Sequence, residues 1–308
     1  MNLHTETPLG EPAVVSRCAL HGVPRTLLIP LAARAWGGER YPWLACGDHD
    51  AKRLLACVEP RARELLDDAP VVLNVLWRTR VLKELAGRFF TAHPQAAGVN
   101  LGCGLSNPFQ WLDTGCNTWL DADLPEVMAL RRNLMPPRPP RARMAAVDLR
   151  VPGWWARLGL PVAGAARPRA RAPAGPVFLL CEGVLMYLRP RQVHAVLEEF
   201  AAHAPAGSQL LADFISYLGV GRARWVPSLA RSHAQFHWGA SGWSDFTEPH
   251  PRLRLLERRS ATECLGGWAV LAEAGCQALV GPAVYGMALL GVADTNACKP
   301  TSAPRRGC

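Results

Sequence analysis

Short apolar segments alternate with amphipathic ones from about residue 98 onward, and this alternation constrains the fold more than any other feature of the chain. Five apolar segments have the length and composition of buried strands: residues 98–101, 118–121, 143–147, 176–181 and 209–214. Amphipathic segments at 125–134 and 190–203 lie between them, and each opens at a proline, which suits the first turn of a helix. Strands separated by helices predict a mostly parallel sheet with right-handed crossovers.

The rest of the chain divides into helical and irregular parts. Helical periodicity over residues 75–90, with shorter apolar segments before it, predicts an N-terminal helical layer at 16–92. Residues 216–254 break the strand–helix alternation, and we interpret this aromatic-rich stretch as a cap or lid. Its large aromatic side chains either cover a small acceptor or only pack the cap onto the core; they are Trp225, Phe236, Trp238 and Trp243. We expect one domain over residues 16–293, a disordered N-terminus at 1–15 and a disordered tail at 294–308.

The formal net charge of +9 raises the question of a nucleic-acid partner. The arginines, however, gather in proline-rich or alanine-rich stretches and in the tail, without interleaved aromatic residues on which bases could stack. They are Arg131, Arg132, Arg138, Arg141, Arg143, Arg167, Arg169, Arg171, Arg305 and Arg306. We therefore interpret them as solvated loop residues and expect no nucleic-acid partner.

The ten cysteines form no CxxC pair and no Cys/His cluster with the spacing of a zinc site. They predict reduced, mostly buried thiols and no metal centre. The N-terminus contains Glu6 and Glu11 and lacks the apolar region of a signal peptide. Residues 267–293 contain one charged side chain, Glu273, but glycines and a proline interrupt them, which favours a helix and a strand over a membrane span. We expect a cytoplasmic protein with no membrane partner.

A glycine turn, with Gly102 and Gly104, follows the first predicted strand. Glycine lets the backbone approach a ligand closely, and a helix starting near Pro108 would add free N–H groups. A dinucleotide-binding turn needs a third glycine where this chain has Asn107. The pattern therefore points to a nucleoside ligand without a pyrophosphate; the alternative is an ordinary turn with no ligand.

Acidic side chains follow three further strands, which places them at the carboxyl edge of the sheet, where open α/β sheets bind ligands. Asp123 lies where a carboxylate can accept both hydroxyls of a ribose; alternatively, it caps the following helix. Asp148 can accept a hydrogen bond from an adenine amino group, or it belongs only to a turn. Glu182 directly follows a fully apolar strand and either faces a ligand or is solvated. Upstream, Arg78 is either a bidentate ligand for an α-carboxylate or an exposed helix residue.

Three motifs together carry a family resemblance: residues 99–104 (VNLGCG), 121–127 (DADLPEV) and 182–188 (EGVLMYL). Residues 26–35 and 78–80 fit the same pattern. On these motifs the chain resembles, from about residue 23 to about residue 292, the leucine carboxyl methyltransferase family, and within it the bacterial polyketide-type O-methyltransferases.

The resemblance implies a site for S-adenosylmethionine and matches each part of that cofactor to residues of this chain. The implied cofactor-binding residues are Arg78 at the carboxylate, Gly102 near the methionine moiety with Gly104 in the same turn, Asp123 at the ribose, Asp148 and Leu149 at the adenine, and Glu182 near the methionine amino group. Tyr187 matches a tyrosine near the acceptor and is the predicted catalytic residue.

Residues and resemblance together predict an α/β fold of the class I methyltransferases. It comprises a doubly wound, Rossmann-like, seven-stranded and mostly parallel sheet with an antiparallel last hairpin, an N-terminal helical layer and an inserted cap. The predicted reaction transfers a methyl group from S-adenosylmethionine to a carboxylate or hydroxyl oxygen of a small molecule, such as a polyketide or another secondary metabolite. A hydroxyl acceptor needs a base, for which Tyr187, His233 and His237 are candidates. The alternatives are a nucleic-acid methyltransferase, a carboxyl methyltransferase of protein C-termini, and a binding module without catalysis.

Overall fold

The computed structural model describes residues 25–56, 60–163, 175–230, 232, 234–280 and 283–294. The two segments expected to be disordered, 1–15 and 294–308, lie outside these ranges except for Asp294. The candidate base His233 lies outside them as well.

The strands and helices of the described residues follow the predicted alternation. The strands are β1 (Ala97–Leu101), β2 (Thr118–Asp123), β3 (Ala142–Ala146), β4 (Val177–Cys181), β5 (Gln209–Ile215), β6 (Leu253–Ser260) and β7 (Tyr285–Val292). The α-helices are α1 (Arg25–Arg40), α2 (His49–Ala56), α3 (Ala69–Ala92), α4 (Phe109–Leu112), α5 (Pro125–Leu134), α6 (Trp154–Arg157), α7 (Pro190–His203) and α8 (Gly267–Val280). Helices α5 and α7 begin at the prolines that predicted them. Proline suits this position because the backbone N–H that it lacks has no partner within the helix in the first turn.

The strands form one sheet in the order β3-β2-β1-β4-β5-β7-β6. Strands β1 to β5 run parallel to their neighbours, and β7 runs antiparallel to both β5 and β6. The predicted mostly parallel, seven-stranded α/β fold is confirmed. The strand order reverses between β1 and β4, and the crevice at such a reversal is where open α/β sheets bind ligands.

The core lies on both faces of the central strands. In β4, Leu179 packs on one face with Phe200 of α7, whereas Phe178 and Leu180 pack on the other with Phe89 of α3. Because side chains of a strand alternate between faces, a strand covered on both faces has to be apolar throughout, as β4 is. Helix α1 contacts α2 and α3 and forms the N-terminal layer.

The sequence interpretation expected an antiparallel last hairpin but did not locate its first strand, β6, and extended the cap through residue 254. The strand begins at Leu253 and lies at the edge of the sheet, paired only with β7. A bulge between Leu255 and Glu257 breaks its alternation, and its exposed positions carry both arginines and a leucine: Arg254, Leu256 and Arg258. An edge strand with a bulge and charged residues carries no regular period, so the pattern resembled a charged loop.

The apolar stretch at residues 267–293 forms a helix and a strand, as predicted: α8 and β7. No helix among the described residues combines the length and the apolar character that crossing a membrane requires.

Gly98 of β1 gives a test of the packing between α3 and the sheet. A Cβ at this position would lie 2.3 Å from ring atoms of Trp119 and 2.9 Å from Phe90. We expect Gly98→Ala to lower the free energy of unfolding by about 1–3 kcal/mol, because a packed core tolerates added volume poorly. The measurement is urea unfolding followed by circular dichroism.

The matched control is Gly87→Ala in α3, where a Cβ would meet nothing within 4 Å. There alanine should raise the free energy of unfolding by about 0.5–1 kcal/mol, since glycine weakens a helix interior. Equal stability of the wild type and Gly98→Ala would contradict the close packing.

Candidate active site

A cavity of about 770 Å³ opens at the carboxyl ends of the parallel strands, at the reversal of strand order. Its volume falls in the range of roughly 300–1,000 Å³ that small-molecule sites occupy. The predicted cofactor-binding residues and the predicted catalytic tyrosine all line this one cavity: Arg78, Gly102, Gly104, Asp123, Asp148, Leu149, Glu182 and Tyr187.

The glycine turn after β1 forms one wall of the cavity. Gly102 and Gly104 have φ angles of +63° and +48°. Such positive angles favour glycine, because the Cβ of any other residue would clash with the backbone there. A Cβ on Gly102 would lie 2.2 Å from Cγ2 of Val184. Helix α4 starts near the predicted position, but it has only four residues and none of them lines the cavity. The turn therefore offers its own backbone, and the predicted contribution of a helix N-terminus is wrong.

Asp123, the last residue of β2, holds this turn in place. Its Oδ2 accepts a hydrogen bond of 2.8 Å from the N–H of Gly104, and its Oδ1 accepts one of 2.7 Å from the N–H of Leu124. Burial raises the pKa of the Asp123 carboxyl, and the two N–H groups oppose that rise. The N-cap of α5 is Leu124 and no side chain caps the helix, so the alternative role of Asp123 as a helix cap is excluded. A carboxylate has about four acceptor positions, which leaves capacity for a pair of ligand hydroxyls.

Arg131 of α5 donates hydrogen bonds to the carbonyl groups of the same turn. Its Nη1 donates to the carbonyl of Gly104 at 2.7 Å and to that of Ser106 at 2.8 Å, and its Nη2 lies 2.6 Å from Oδ2 of Asp121. Arg138 also pairs with Asp121. Both arginines are buried and paired, so their interpretation as solvated loop residues is wrong.

The position of Arg131 on α5 is the sequence feature that could have predicted its burial. The buried residues of this helix are Met128, Arg131 and Leu134, so the arginine occupies the middle of the apolar stripe. A charged residue at a core position indicates a buried carboxylate partner.

Arg78 of α3 lies beside the carboxyl end of β4, in a group of buried charges. Its Nε is 2.7 Å from Oε1 of Glu182, and its Nη1 is 3.1 Å from Oδ2 of Asp213 and 2.8 Å from the hydroxyl of Tyr285. Burial alone would lower the pKa of Arg78, but Glu182, Tyr285 and Asp213 raise it well above the usual value. The guanidinium therefore stays cationic inside the cavity wall.

Asp213 and Tyr285 were not among the predicted site residues. Asp213 is fully buried near the end of β5. Its carboxylate accepts a hydrogen bond of 2.6 Å from the N–H of Gly183 and one of 2.5 Å from the hydroxyl of Tyr285. The same signal that singled out Asp123, an acidic residue near the carboxyl end of a strand, applies to Asp213. A second arginine, Arg34, reaches this group, with its Nη1 3.9 Å from Glu182.

Asp148 and Leu149 follow β3 at the far end of the cavity. Asp148 is half-buried, and both of its oxygens accept hydrogen bonds from Arg150, at 2.7 to 3.0 Å. These hydrogen bonds lower the pKa of Asp148. Asp148 also closes a turn, because its carbonyl accepts the N–H of Val151. Asp148 thus belongs to a turn and lines the cavity at the same time, so neither alternative excludes the other. Its role at the adenine stays a prediction.

The remaining wall of the cavity is apolar, and we call it the acceptor wall: Met186, Tyr187, Ile215, Val226, Leu229 and Phe236. The rings of Tyr187 and Phe236 lie 5.6 Å apart. Burial raises the pKa of Tyr187 to about 12, so its phenol stays protonated at neutral pH. Tyr187 is therefore placed to donate a hydrogen bond, and a role as general base is disfavoured.

Two other expectations for the cap do not hold. Trp238 and Trp243 line no part of the cavity; both pack against Phe246, and Trp243 also packs against Phe214. These two side chains therefore do not face the cavity, whereas Trp225 and Phe236, which were expected there as well, line it. His237 is exposed and outside the cavity lining, which removes it as a candidate base.

The comparisons with known proteins decide the family. A model of the leucine carboxyl methyltransferase family matches residues 33–201, more than half of the chain. The chain belongs to the leucine carboxyl methyltransferase family. It is an S-adenosylmethionine-dependent O-methyltransferase.

Relatives of this methyltransferase include the tetracenomycin polyketide synthesis O-methyltransferase TcmP of Streptomyces glaucescens, 31% identical over 245 residues that cover 78% of this chain and 84% of TcmP. The S-adenosyl-L-methionine-dependent methyltransferase dpfgK of Gibberella zeae is 28% identical over 201 residues, which cover 61% of this chain and 63% of dpfgK. The crystal structure of a candidate methyltransferase from Thermobifida fusca, 15% identical, covers 90% of this chain and 98% of its own with a TM-score of 0.51, and it shows the shared fold.

The residues of the cavity fit S-adenosylmethionine. Gly102 and Gly104 line the cavity without side chains of their own, so a ligand can approach their backbone closely. The carboxylate of Asp123 suits two ribose hydroxyls, and the adjacent cation and carboxylate of Arg78 and Glu182 suit the oppositely charged groups of an amino acid. These groups line the cavity in the order in which the predicted roles would place nucleoside and amino acid.

Asp123 gives a direct test of the nucleoside end. We expect Asp123→Ala to weaken binding of S-adenosylhomocysteine by about 10- to 100-fold, because a hydrogen bond to a charged group contributes roughly 1.5–3 kcal/mol. Titration calorimetry measures the affinity. Glu126→Ala, an exposed carboxylate three positions further along the chain, is the control and should leave affinity unchanged. Unchanged affinity in a folded Asp123→Ala protein would remove the ribose role.

Arg131 gives a test of how the turn is held. Arg131→Met leaves Asp121 with one cationic partner fewer and two buried carbonyls without a donor, so the free energy of unfolding should fall by about 3–5 kcal/mol. Chemical denaturation measures this change. Arg132→Met removes the exposed neighbouring arginine and should have almost no effect. Equal stability of the two variants would show that Arg131 is dispensable.

Proposed function

We propose that this methyltransferase esterifies a carboxylate of a small, largely apolar aromatic acid. The observation that carries this proposal is the chemistry of the acceptor side of the cavity. Among the described residues, no side chain on the acceptor wall is a base at neutral pH. A carboxylate acceptor is ionised at neutral pH and needs no base, whereas a hydroxyl acceptor does.

The other titratable side chains of the cavity are engaged elsewhere. Glu182 is paired with Arg78, and Asp148 is paired with Arg150. Asp123 accepts two backbone N–H groups at the opposite wall. Tyr285 donates to Asp213, and its pKa is raised well above the usual value, chiefly by burial. None of these groups stands ready to take a proton from an alcohol or a phenol.

Bound S-adenosylmethionine supplies a methyl group on a positively charged sulfur, which is intrinsically reactive toward an oxygen nucleophile. The contribution of the chain is then to hold the acceptor in line with that methyl group and to exclude water. We propose that Arg78, Gly102, Gly104, Asp123, Asp148, Leu149 and Glu182 hold the cofactor. Tyr187, which follows Glu182 closely in the chain, is proposed to orient the acceptor by donating a hydrogen bond.

The relatives support the same substrate class. The family is named for the methylation of a carboxyl group, and TcmP acts in polyketide synthesis. Aromatic and aliphatic side chains on the acceptor wall suit the flat, apolar skeleton of an aromatic polyketide acid.

Substitution of Tyr187 distinguishes a carboxylate acceptor from a hydroxyl acceptor. If the acceptor is a carboxylate, Tyr187→Phe should keep kcat within about tenfold of the wild type, and kcat should be flat from about pH 6 to pH 9, above the pKa of the acid. If Tyr187 were a general base, activity would rise with pH toward its pKa of about 12, and its loss would cost about 10²- to 10⁴-fold. Tyr217→Phe, which lies outside the cavity lining, is the control.

The assay uses 2-naphthoic acid and 2-naphthol with isotopically labelled S-adenosylmethionine, read by mass spectrometry. The expected product is the methyl ester of the acid, which alkali hydrolyses. Formation of only the alkali-stable ether of 2-naphthol would contradict carboxylate methylation.

A further inference from the structure

Four arginines of the described residues line the cavity, and one differs from the others in its partners. Arg34 lies 2.8 Å from Asp48, Arg78 lies 2.7 Å from Glu182, and Arg150 lies 2.7 Å from Asp148. Arg222, the fourth, has no carboxylate within 4 Å among the residues that the structure describes. Among the described residues, Arg222 is therefore the cavity-lining arginine that is not paired with a carboxylate.

The backbone around Arg222 is fixed to the acceptor wall. The preceding residue, Gly221, turns at a φ of +72° and donates its N–H to the carbonyl of Phe236 at 2.9 Å. The following residue, Ala223, is buried in the same cluster as Met186 and Phe236. Arg222 is thus positioned by a packed segment, while its side chain is exposed at the cavity.

The guanidinium of Arg222 lies 5.3 Å from the ring centroid of Trp225. Its Nη1 donates to the carbonyl of Leu218, which leaves other N–H groups of the fork with no protein acceptor among the described residues. Trp225 also lines the cavity and is 68% exposed. A large aromatic ring in water beside an unpaired cation is suited to a ligand that is both flat and negatively charged.

We infer that Arg222 and Trp225 form a clamp that selects acceptors by their negative charge, with Arg222 bound to a carboxylate and Trp225 stacked on the aromatic skeleton. This inference rests on the proposed function, since it assigns the residues that recognise the acid. The carboxylate held by Arg222 is either the one that receives the methyl group or a second acidic group of the same molecule.

The test compares 2-naphthoate with its neutral counterpart 2-naphthamide, each titrated into the protein saturated with S-adenosylhomocysteine. The wild type should bind the acid at least tenfold more tightly than the amide, because only the acid can form an ion pair with two parallel hydrogen bonds to the guanidinium. Arg222→Met should abolish this preference, and Arg222→Lys should keep part of it. Trp225→Ala should weaken both ligands to a similar extent.

Arg224→Met is the matched control, because Arg224 is also exposed, belongs to the same short helix as Trp225 and does not line the cavity. It should keep the full preference for the acid. The clamp is refuted if wild type binds acid and amide equally, if neither ligand binds, or if Arg222→Met keeps the preference.

Turnover of mono- and diacids identifies the carboxylate and separates the clamp from the proposed function. If Arg222 holds the reacting carboxylate, 2-naphthoate is methylated and Arg222→Met lowers its kcat/KM. If Arg222 holds a second group, only 2,6-naphthalenedicarboxylate is methylated. Binding that depends on Arg222 without ester from either acid keeps the clamp and refutes carboxylate methylation. Ester formed equally well by Arg222→Met refutes the clamp and keeps the function.

Discussion

The backbone of Gly104 is held from both sides, and the shape of the cofactor site depends on it. Asp123 accepts the N–H of this glycine, and Arg131 donates to its carbonyl. A glycine at a φ of +48° has no side chain to pack, so hydrogen bonds to neighbours are what keep such a turn in one conformation. Asp121 and Asp123 are two positions apart on β2 and so lie on the same face, which lets Asp121 anchor Arg131 while Asp123 reaches the turn. One strand end therefore fixes the turn and presents the carboxylate that we propose binds the ribose.

The distribution of charge divides the cavity into two parts. Around Glu182, carboxylates and guanidinium groups are buried together, and burial of charge is tolerated because each group is paired. This pairing keeps Arg78 cationic without leaving it free to move. The acceptor wall is apolar, with Tyr187 protonated and Arg222 at its exposed rim. This division fits the proposed methyl transfer to an acid, with the paired, polar part proposed to hold the cofactor and the apolar part with one cation proposed to hold the acceptor.

Much of this was predictable from the sequence, for physical reasons that differ between elements. Strands such as β4 and helices such as α5 and α7 follow local rules, namely a continuous apolar run and a proline at the first turn. The acidic residues near strand ends converge because parallel strands share one carboxyl edge. Arg131 was misjudged because its partner Asp121 is ten positions away and is brought near only by the fold. Strand β6 was missed because its bulge removes the alternation on which a strand prediction depends. The contrast between Trp225, which faces the cavity, and Trp238, which faces the core, depends on how the cap folds and has no local signal.

We propose that the cavity at the reversal of strand order binds S-adenosylmethionine through the residues described above. Calorimetric titration of the wild-type protein with S-adenosylhomocysteine, with NAD as the comparison ligand, tests this proposal. We expect saturable one-to-one binding of S-adenosylhomocysteine and no comparable binding of NAD, because Asn107 stands where a dinucleotide turn needs glycine. Absence of S-adenosylhomocysteine binding at millimolar ligand, or equal binding of NAD, would contradict it.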